Sequence, residues 1–397
     1  MQIPSSCDVL IIGAGPAGAT AARALARAGI DVVLADRSAF PRDKICGDGL
    51  IGDALGALDA LGIKARVLSE AVLADQLRLY PPKGEYATVR GMLACIARER
   101  LDAILLDAAT EAGARFLPSM TATRPLDGVD GVAGASFHCS GTTIDIRARL
   151  TLLATGANAT VLESFRLAVP MKPTGAAGRV YFEAPPEVAR RYAHLTIAYC
   201  EQWCPGYGWI FPGPDNRLNV GVGIFGTDGK RLRAFWEFFQ TRFAPAAEIV
   251  GTSRRLSEFR GAPLRTGLIK AQFGRPGLLV LGEAAAMTYP GTGEGIGKAM
   301  ESGLIAAEFI TEALAGRIPV ATAHAAYAAE FRRRFQRRYR AYQIAQSCAA
   351  RPWLVNFLAR RANAGRFVRE ELEALIDEKG DASELFSFRG LFAALVR

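Results

Sequence analysis

Histidine is scarce in this chain: His138, His194 and His324 are the only three among 397 residues, which leaves little material for a histidine-based triad. Long apolar runs are missing too, and no uninterrupted stretch approaches the ~20 residues a membrane-spanning helix needs. The N-terminus enters an apolar run within about seven residues, leaving no room for a leader with a basic and then an apolar region. A soluble or peripheral protein of the cytoplasm is therefore expected. The seven cysteines, at 7, 46, 95, 139, 200, 204 and 348, are odd in number and scattered. They form no disulfide framework and suit a reducing compartment. Cys200-x-x-x-Cys204 has no second pair or histidine nearby, so no metal is expected. No recognised nucleic-acid-binding module is present, and nucleic acid is not an expected partner.

What the chain does contain is apolar weight. Half its residues are hydrophobic and 22% are charged, the balance of a globular protein rather than a disordered one. Its length predicts two lobes, or one domain with a large insertion. The formal charge of +9 favours either an acidic substrate or membrane, or simply a basic solvated surface.

Residues 8–37 carry the strongest local signal. An apolar run at 9–12 leads into Gly13-x-Gly15-x-x-Gly18, a small-residue helix follows, and a second apolar run at 32–35 ends on Asp36. This is the strand, turn, helix and strand of a dinucleotide-binding unit. Gly13 allows the tight turn, Gly15 lets backbone approach a pyrophosphate, and Gly18 lets the helix lie close to the strand, its N-terminus facing the anion. Asp36 is placed to accept hydrogen bonds from a ribose. No second βαβ unit with such a turn and a trailing acid is present to hold a nicotinamide cofactor of its own.

The loop after Asp36 carries Arg42, Lys44 and Cys46 close together, then Gly47 and Gly49 before a helix expected from about Gly52. Its cations suit a diphosphate, and a lysine neighbour is expected to lower the Cys46 pKa. Residues 66–95 read as short extended pieces, 98–113 as a helix, and 148–154 as a buried strand ending at Thr155-Gly156. Between 166 and 274 the pattern becomes a mostly antiparallel lobe of strands joined by loops. Within it, Tyr207, Trp209 and Phe211 alternate onto one face, positions that suit the lining of an apolar cavity or the core of a sandwich. Residues 277–283 form a short buried strand ending in Gly282-Glu283, and glycines 291, 293, 295 and 297 open a helix expected over 294–314. From about Pro319 the chain reads as helical. Its segment 331–340 interleaves arginines with aromatics, which fits either a helix on a membrane surface or one packed on the protein with a basic solvated face.

Taken together, Gly13-x-Gly15-x-x-Gly18 with Asp36, Phe40-Pro-Arg-Asp-Lys-Ile-Cys-Gly47, and Gly282-Glu-Ala-Ala followed by Pro290-x-Thr-Gly-Glu-Gly-Ile296 resemble the FAD-dependent hydroxylase superfamily. Within it, the loop 40–47, Tyr207-x-Trp209-x-Phe211-Pro212 and Asn219-Val-Gly-Val-Gly are similar to the geranylgeranyl reductase family. The fold this resemblance implies is α/β: a glutathione-reductase-like FAD-binding Rossmann domain, an antiparallel β-sheet substrate lobe and a C-terminal helical segment. The expected divisions are 1–165 and 275–318 for the FAD domain, 166–274 for the lobe and 319–397 for the helical region.

The resemblance implies FAD contacts from Gly13, Gly15, Pro16, Ala17, Gly18, Asp36 and Arg37. Arg42, Lys44, Cys46 and Gly47 would follow, with Arg42 near the diphosphate and Arg98 near the flavin edge. Thr155, Gly156, Gly282, Glu283, Pro290, Gly293, Glu294, Gly295 and Ile296 would complete the set. Tyr207, Trp209, Phe211 and Asn219 would bind substrate, and Cys46, Tyr207 and Trp209 would be catalytic, with Cys46 or a water supplying the proton. The implied reaction is reduction of isolated C=C bonds in a prenyl-type small molecule or lipid by reduced flavin, with NADPH, NADH or ferredoxin as electron source. The same motifs leave open a monooxygenase or halogenase acting on an aromatic or polyketide-like molecule, and a quinone-linked electron carrier. Two positions depart from pattern: Glu283 replaces the usual Asp, and Thr155-Gly156 stands where hydroxylases have Asp-Gly.

Overall fold

The computed structural model describes residues 3–129, 131–167, 173–226 and 231–377, with residues 380 and 390. Two sheets organise them. In the first, Val9–Ile12 and Val32–Ala35 are continuous apolar runs buried on both faces, as parallel strands between helices must be. Strand Ser6–Ile12 lies between Val32–Ala35 and Thr142–Leu153, with Arg115–Leu117 and Leu278–Val280 outside them, all parallel. Ile12 is level with both Ala35 and Leu153, and Leu153 with Val280. The turns that leave these four strands therefore emerge side by side at the carboxyl end of the sheet, where open α/β folds bind ligands.

Helices Pro16–Arg27 and Ile296–Leu314 pack face to face beside this sheet. Small residues make the crossing close: a Cβ on Gly303 would stand 2.5 Å from the Ala17 carbonyl oxygen. Helix Arg98–Glu111 takes the other flank of Pro16–Arg27.

Among the described residues the second sheet has nine strands. Gly175–Glu183, Arg217–Phe225, Tyr207–Pro212 and Leu195–Tyr199 run antiparallel in that order, as the pattern at 166–274 suggested. Within the stretch expected as short extended pieces, Val72–Tyr80 and Ala87–Cys95 form two nine-residue strands, which extend this second sheet. The link is a parallel pairing of Leu77 with Leu195, a contact over more than a hundred residues that no local periodicity reveals. Residues 232–252 form helices Leu232–Arg242 and Ala244–Thr252 where strands and loops were expected. Their Phe235, Trp236 and Phe239 cover Val180, Ile210 and Val222 on the sheet.

The C-terminal part is helical through Ala323–Ala349, Pro352–Ala364 and Phe367–Ile376, and the rest of the expected helical region, at 378–379, 381–389 and 391–397, lies outside the described residues. In Ala323–Ala349 the aromatics point inward: Tyr327, Phe331, Tyr339 and Tyr342 join the core of the first sheet. Arg333 and Arg334 point outward and pair with Glu330 and Glu308. This is the arrangement of a helix packed on the protein with a basic solvated face. No helix among the described residues is long and apolar enough to cross a membrane.

If the close helix crossing holds the carboxyl-end turns in place, Gly303→Ala should lower unfolding stability by about 1–3 kcal/mol in a denaturant titration.

Candidate active site at the junction of the sheets

A cavity of about 980 Å³ runs from the carboxyl end of the first sheet to the face of the second. At its nucleotide-like end stands the first glycine turn. Gly13 has φ +107°, and a Cβ there would lie 2.4 Å from the Ala154 carbonyl oxygen; one on Gly18 would lie 1.8 Å from the Gly13 carbonyl oxygen. Both positions exclude a side chain, so the turn can form in glycine only. Gly15, Pro16 and Ala17 line the cavity, whereas Gly18 lies beneath it, against Gly13.

Cations converge on this turn. A Cβ at Gly15 would stand 3.5 Å from Arg42 Nη2 and 4.0 Å from Arg98 Nη2. Arg98 is held in a bidentate pair by fully buried Asp102, with Nε to Oδ1 and Nη2 to Oδ2 both 2.8 Å, and Arg42 Nη2 reaches the same carboxylate at 3.2 Å. Two guanidiniums share one carboxylate, leaving a positive charge aimed at the turn. Arg98 thus stands beside Arg42 at the turn. Asp36 accepts from the backbone N–H groups of Ala14 (2.8 Å) and Ser38 (2.9 Å) and borders the cavity with Arg37. Lys44 also lines it.

The other strand-end turns meet here. Thr155 and Gly156 line the cavity opposite Glu283, whose Oε2 would stand 3.7 Å from a Cβ on Gly156 and whose Oε1 accepts from the Arg265 N–H at 3.3 Å. Thr155 Oγ1 is buried without a partner at this wall. Gly293, Glu294, Gly295 and Ile296 bring the N-terminus of helix Ile296–Leu314 to the same wall, adding its positive dipole end. Gly282 and Pro290 sit behind the wall; the Gly282 N–H donates to Ser302 Oγ at 3.0 Å.

The far end is apolar and aromatic. Tyr207, Trp209 and Phe211 all face the cavity, with Leu77, Leu93, Leu195 and Ile197 beside them. Trp209 fits because Gly221 lies under it, where a Cβ would come within 2.2 Å of the indole. Gly221-x-Gly223-x-x-Gly226 has nucleotide-turn spacing, but its first two glycines sit in an antiparallel strand, where Gly221 makes room for the indole. Asn219 is not a cavity residue, contrary to expectation. It is buried beneath the wall, where its Oδ1 accepts from Trp209 Nε1 (2.9 Å) and its Nδ2 donates to the Cys46 carbonyl (2.9 Å) and to Asp48 Oδ2 (2.7 Å). It locks the loop 46–48 to the second sheet.

Cys46 and Gly47 do line the cavity. A Cβ on Gly47 would lie 3.3 Å from the Phe211 ring, so the loop packs directly on the aromatic wall. The expectation of an acidified thiol at Cys46 is overturned: burial raises its pKa, and nearby Arg98 offsets this only in part.

Several residues of the site escaped sequence reasoning. Asp48 holds the loop through Asn219, the Tyr181 hydroxyl and the Arg98 N–H, which together sustain its left-handed backbone at φ +68°. Its burial pushes the carboxyl up to about 6. The only local sign was an acid between two glycines. Asp53 and Lys298 form a buried ion pair (3.5 Å) behind the helix N-terminus, and Gly297 makes room for it, since a Cβ there would fall 2.0 Å from Asp53 Cγ. Nothing in their local sequence pairs them.

These features fit FAD. The turn is open where Cβ atoms would intrude, a surplus cation faces it, an acid ends the second strand, and an orphaned Thr155 hydroxyl waits at the opposite wall. The comparisons agree. The FAD binding domain family matches residues 6–341. Digeranylgeranylglycerophospholipid reductase 1 of Methanopyrus kandleri is 30% identical over 311 residues, covering 77% of this chain and 81% of that protein. Menaquinone reductase of Mycolicibacterium smegmatis is 32% identical over 324 residues, covering 77% and 76%. The chain belongs to the geranylgeranyl reductase family of FAD-dependent oxidoreductases. In fold it is similar to a geranylgeranyl bacteriochlorophyll reductase-like protein of Thermoplasma acidophilum, with a TM-score of 0.80 at 21% identity over 100% of this chain and 97% of that one. It is also similar to a flavin-dependent brominase, with a TM-score of 0.78 at 18% identity over 98% of both chains.

Asn219→Ala strands the Trp209 N–H and the Cys46 carbonyl, so it should cost about 3 kcal/mol of stability and speed the reaction of Cys46 with a thiol reagent. Gly15→Val should yield folded protein that fails to bind FAD, seen as absence of flavin absorbance after both it and the wild type are incubated with FAD and desalted.

Proposed function

We propose that this protein reduces C=C bonds in a prenyl-type chain, using FAD held at the glycine turn. The observation that carries the reading is the continuity of one cavity from a cationic nucleotide cradle to an apolar wall of Tyr207, Trp209 and Phe211. A long hydrocarbon chain finds no polar partner to satisfy on Leu77, Leu93, Leu195 and Ile197, and gains by leaving water there. Relatives named as reductases of digeranylgeranylglycerophospholipid and of menaquinone support a lipid substrate.

Gly13, Gly15, Pro16 and Ala17 would hold the cofactor diphosphate with Arg42 and Arg98, Asp36 the ribose, and Glu283 with Thr155 the polyol side. Gly293, Gly295 and Ile296 would meet the ring. Bound and reduced, FAD supplies hydride to the substrate. The chain's part is to orient the double bond against Trp209 and Cys46, to exclude water with the aromatic wall, and to keep the Cys46 thiol protonated by burial. The reductant is NADPH or NADH binding transiently, or ferredoxin, since the described residues form no separate nicotinamide unit. Contact with a membrane surface would give access to a lipid; exposed Trp353 on helix Pro352–Ala364 is the residue to watch.

The test is anaerobic reduction of the flavin followed by a prenylated lipid, with oxygen excluded. Reoxidation of the flavin with a saturated product is the expected result. Flavin that stays reduced with the lipid until oxygen is admitted, and then yields an oxygenated or halogenated product, would overturn the reading.

A further inference from the structure

Hydride alone does not saturate a double bond; the second carbon needs a proton, and the cavity must contain its source. Resting on the reductase reading, we infer that Glu294 is the acid that gives this proton to the substrate.

Glu294 lines the cavity at the N-terminus of helix Ile296–Leu314, next to the aromatic wall. Its neighbour Gly293 would carry a Cβ 3.4 Å from the Tyr207 hydroxyl. Its Oε2 is buried and has no hydrogen-bond partner, unusual for a carboxylate oxygen inside a protein and natural for an acid whose partner arrives with the ligand. The nearest cation does not neutralise it. Fully buried Lys298 is taken by Asp53 at 3.5 Å and by Glu301. The other groups that face Glu294 are Tyr199 and Tyr207 from the second sheet and Tyr342 from helix Ala323–Ala349. None is a cation, although Arg338 on that helix acts on Tyr342 and Glu301. Burial, and then the charge of Asp53, push Glu294 up to about 8 against the pull of Lys298, so near neutrality the carboxyl carries its proton.

The alternatives are weaker acids or are occupied. The Tyr207 hydroxyl donates to the Thr292 carbonyl, and burial raises both Tyr207 and the Cys46 thiol. The balance is simple. One alkene carbon gains hydride, the two-electron reductant already assigned to FAD. The other gains the proton as the Glu294 O–H bond breaks and its electron pair remains on the carboxylate, which regains a proton from water between turnovers.

The experiment compares FAD-loaded wild type with Glu294→Gln. The variant should hold flavin as the wild type does yet reoxidise it with a prenylated lipid at least about 10²-fold more slowly, the range for losing a general acid. The wild-type rate should fall as pH rises through about 8, where Glu294 gives up its proton, and the residual rate of the variant should lack that limb. Infrared spectra without substrate should show a carboxylic acid C=O band that disappears above that pH in the wild type and is missing from Glu294→Gln. A variant with the wild-type rate, or one that retains the limb, would overturn the inference, as would a wild type without the band. A wild type that shows the band but reduces no prenyl chain supports the buried acid and overturns the functional reading instead.

Discussion

Asn219 receives a hydrogen bond from the Trp209 indole and gives two others, to the Cys46 carbonyl and to Asp48. These bonds lie in a buried, low-dielectric setting where each unmade partner is expensive, so the sheet and the loop can occupy only one mutual position. The rest of the site depends on that position. Tyr181 closes the network by donating to Asp48, and Arg179, stacked over Tyr181 at 3.8 Å, pairs with Asp43 at the loop's other end. The loop that presents Cys46 to the cavity is thus pinned at both ends to the substrate sheet, although it belongs by sequence to the nucleotide unit.

Charge is distributed unequally along the cavity, and burial is what gives the distribution its effect. At the glycine turn Asp102 is outnumbered by Arg42 and Arg98, so a net positive charge meets whatever anion binds there. At the opposite wall the count is reversed: Lys298 serves Asp53 and Glu301, and Glu294 is left without a cation of its own. A carboxyl so placed resolves the conflict by keeping its proton. The same physics that makes one end hospitable to a diphosphate makes the other end a neutral acid beside apolar rings.

Close packing in small residues serves both halves. Gly18 and Gly303 bring helices and strand into contact around the turn, Gly221 seats Trp209, and Gly297 admits Asp53. At Gly303 and Gly297 the space is taken by segments distant in sequence, the Ala17 backbone and the Asp53 side chain, whereas at Gly18 and Gly221 it is taken by the nearby Gly13 backbone and Trp209 ring. A glycine in the sequence marks that something approaches, without naming what.

Much of the frame was determined by sequence alone, because it rests on local periodicity and backbone freedom. The strand, turn, helix and strand of residues 6–36, the turns at Thr155 and Gly282, the helix opening at Gly295 and the common face of Tyr207, Trp209 and Phe211 follow from the residues in each window. The tertiary structure alone decided what depends on long-range pairing and burial. It assigned Val72–Tyr80 and Ala87–Cys95 to the second sheet through Leu77 and Leu195, moved Asn219 from the cavity to its foundation, and set Arg98 beside Arg42. It also reversed the expectation for Cys46, since a lysine two residues away in sequence matters less to a thiol than the low-dielectric pocket around it. Proton affinity is a property of surroundings, and surroundings are assembled only when the chain folds.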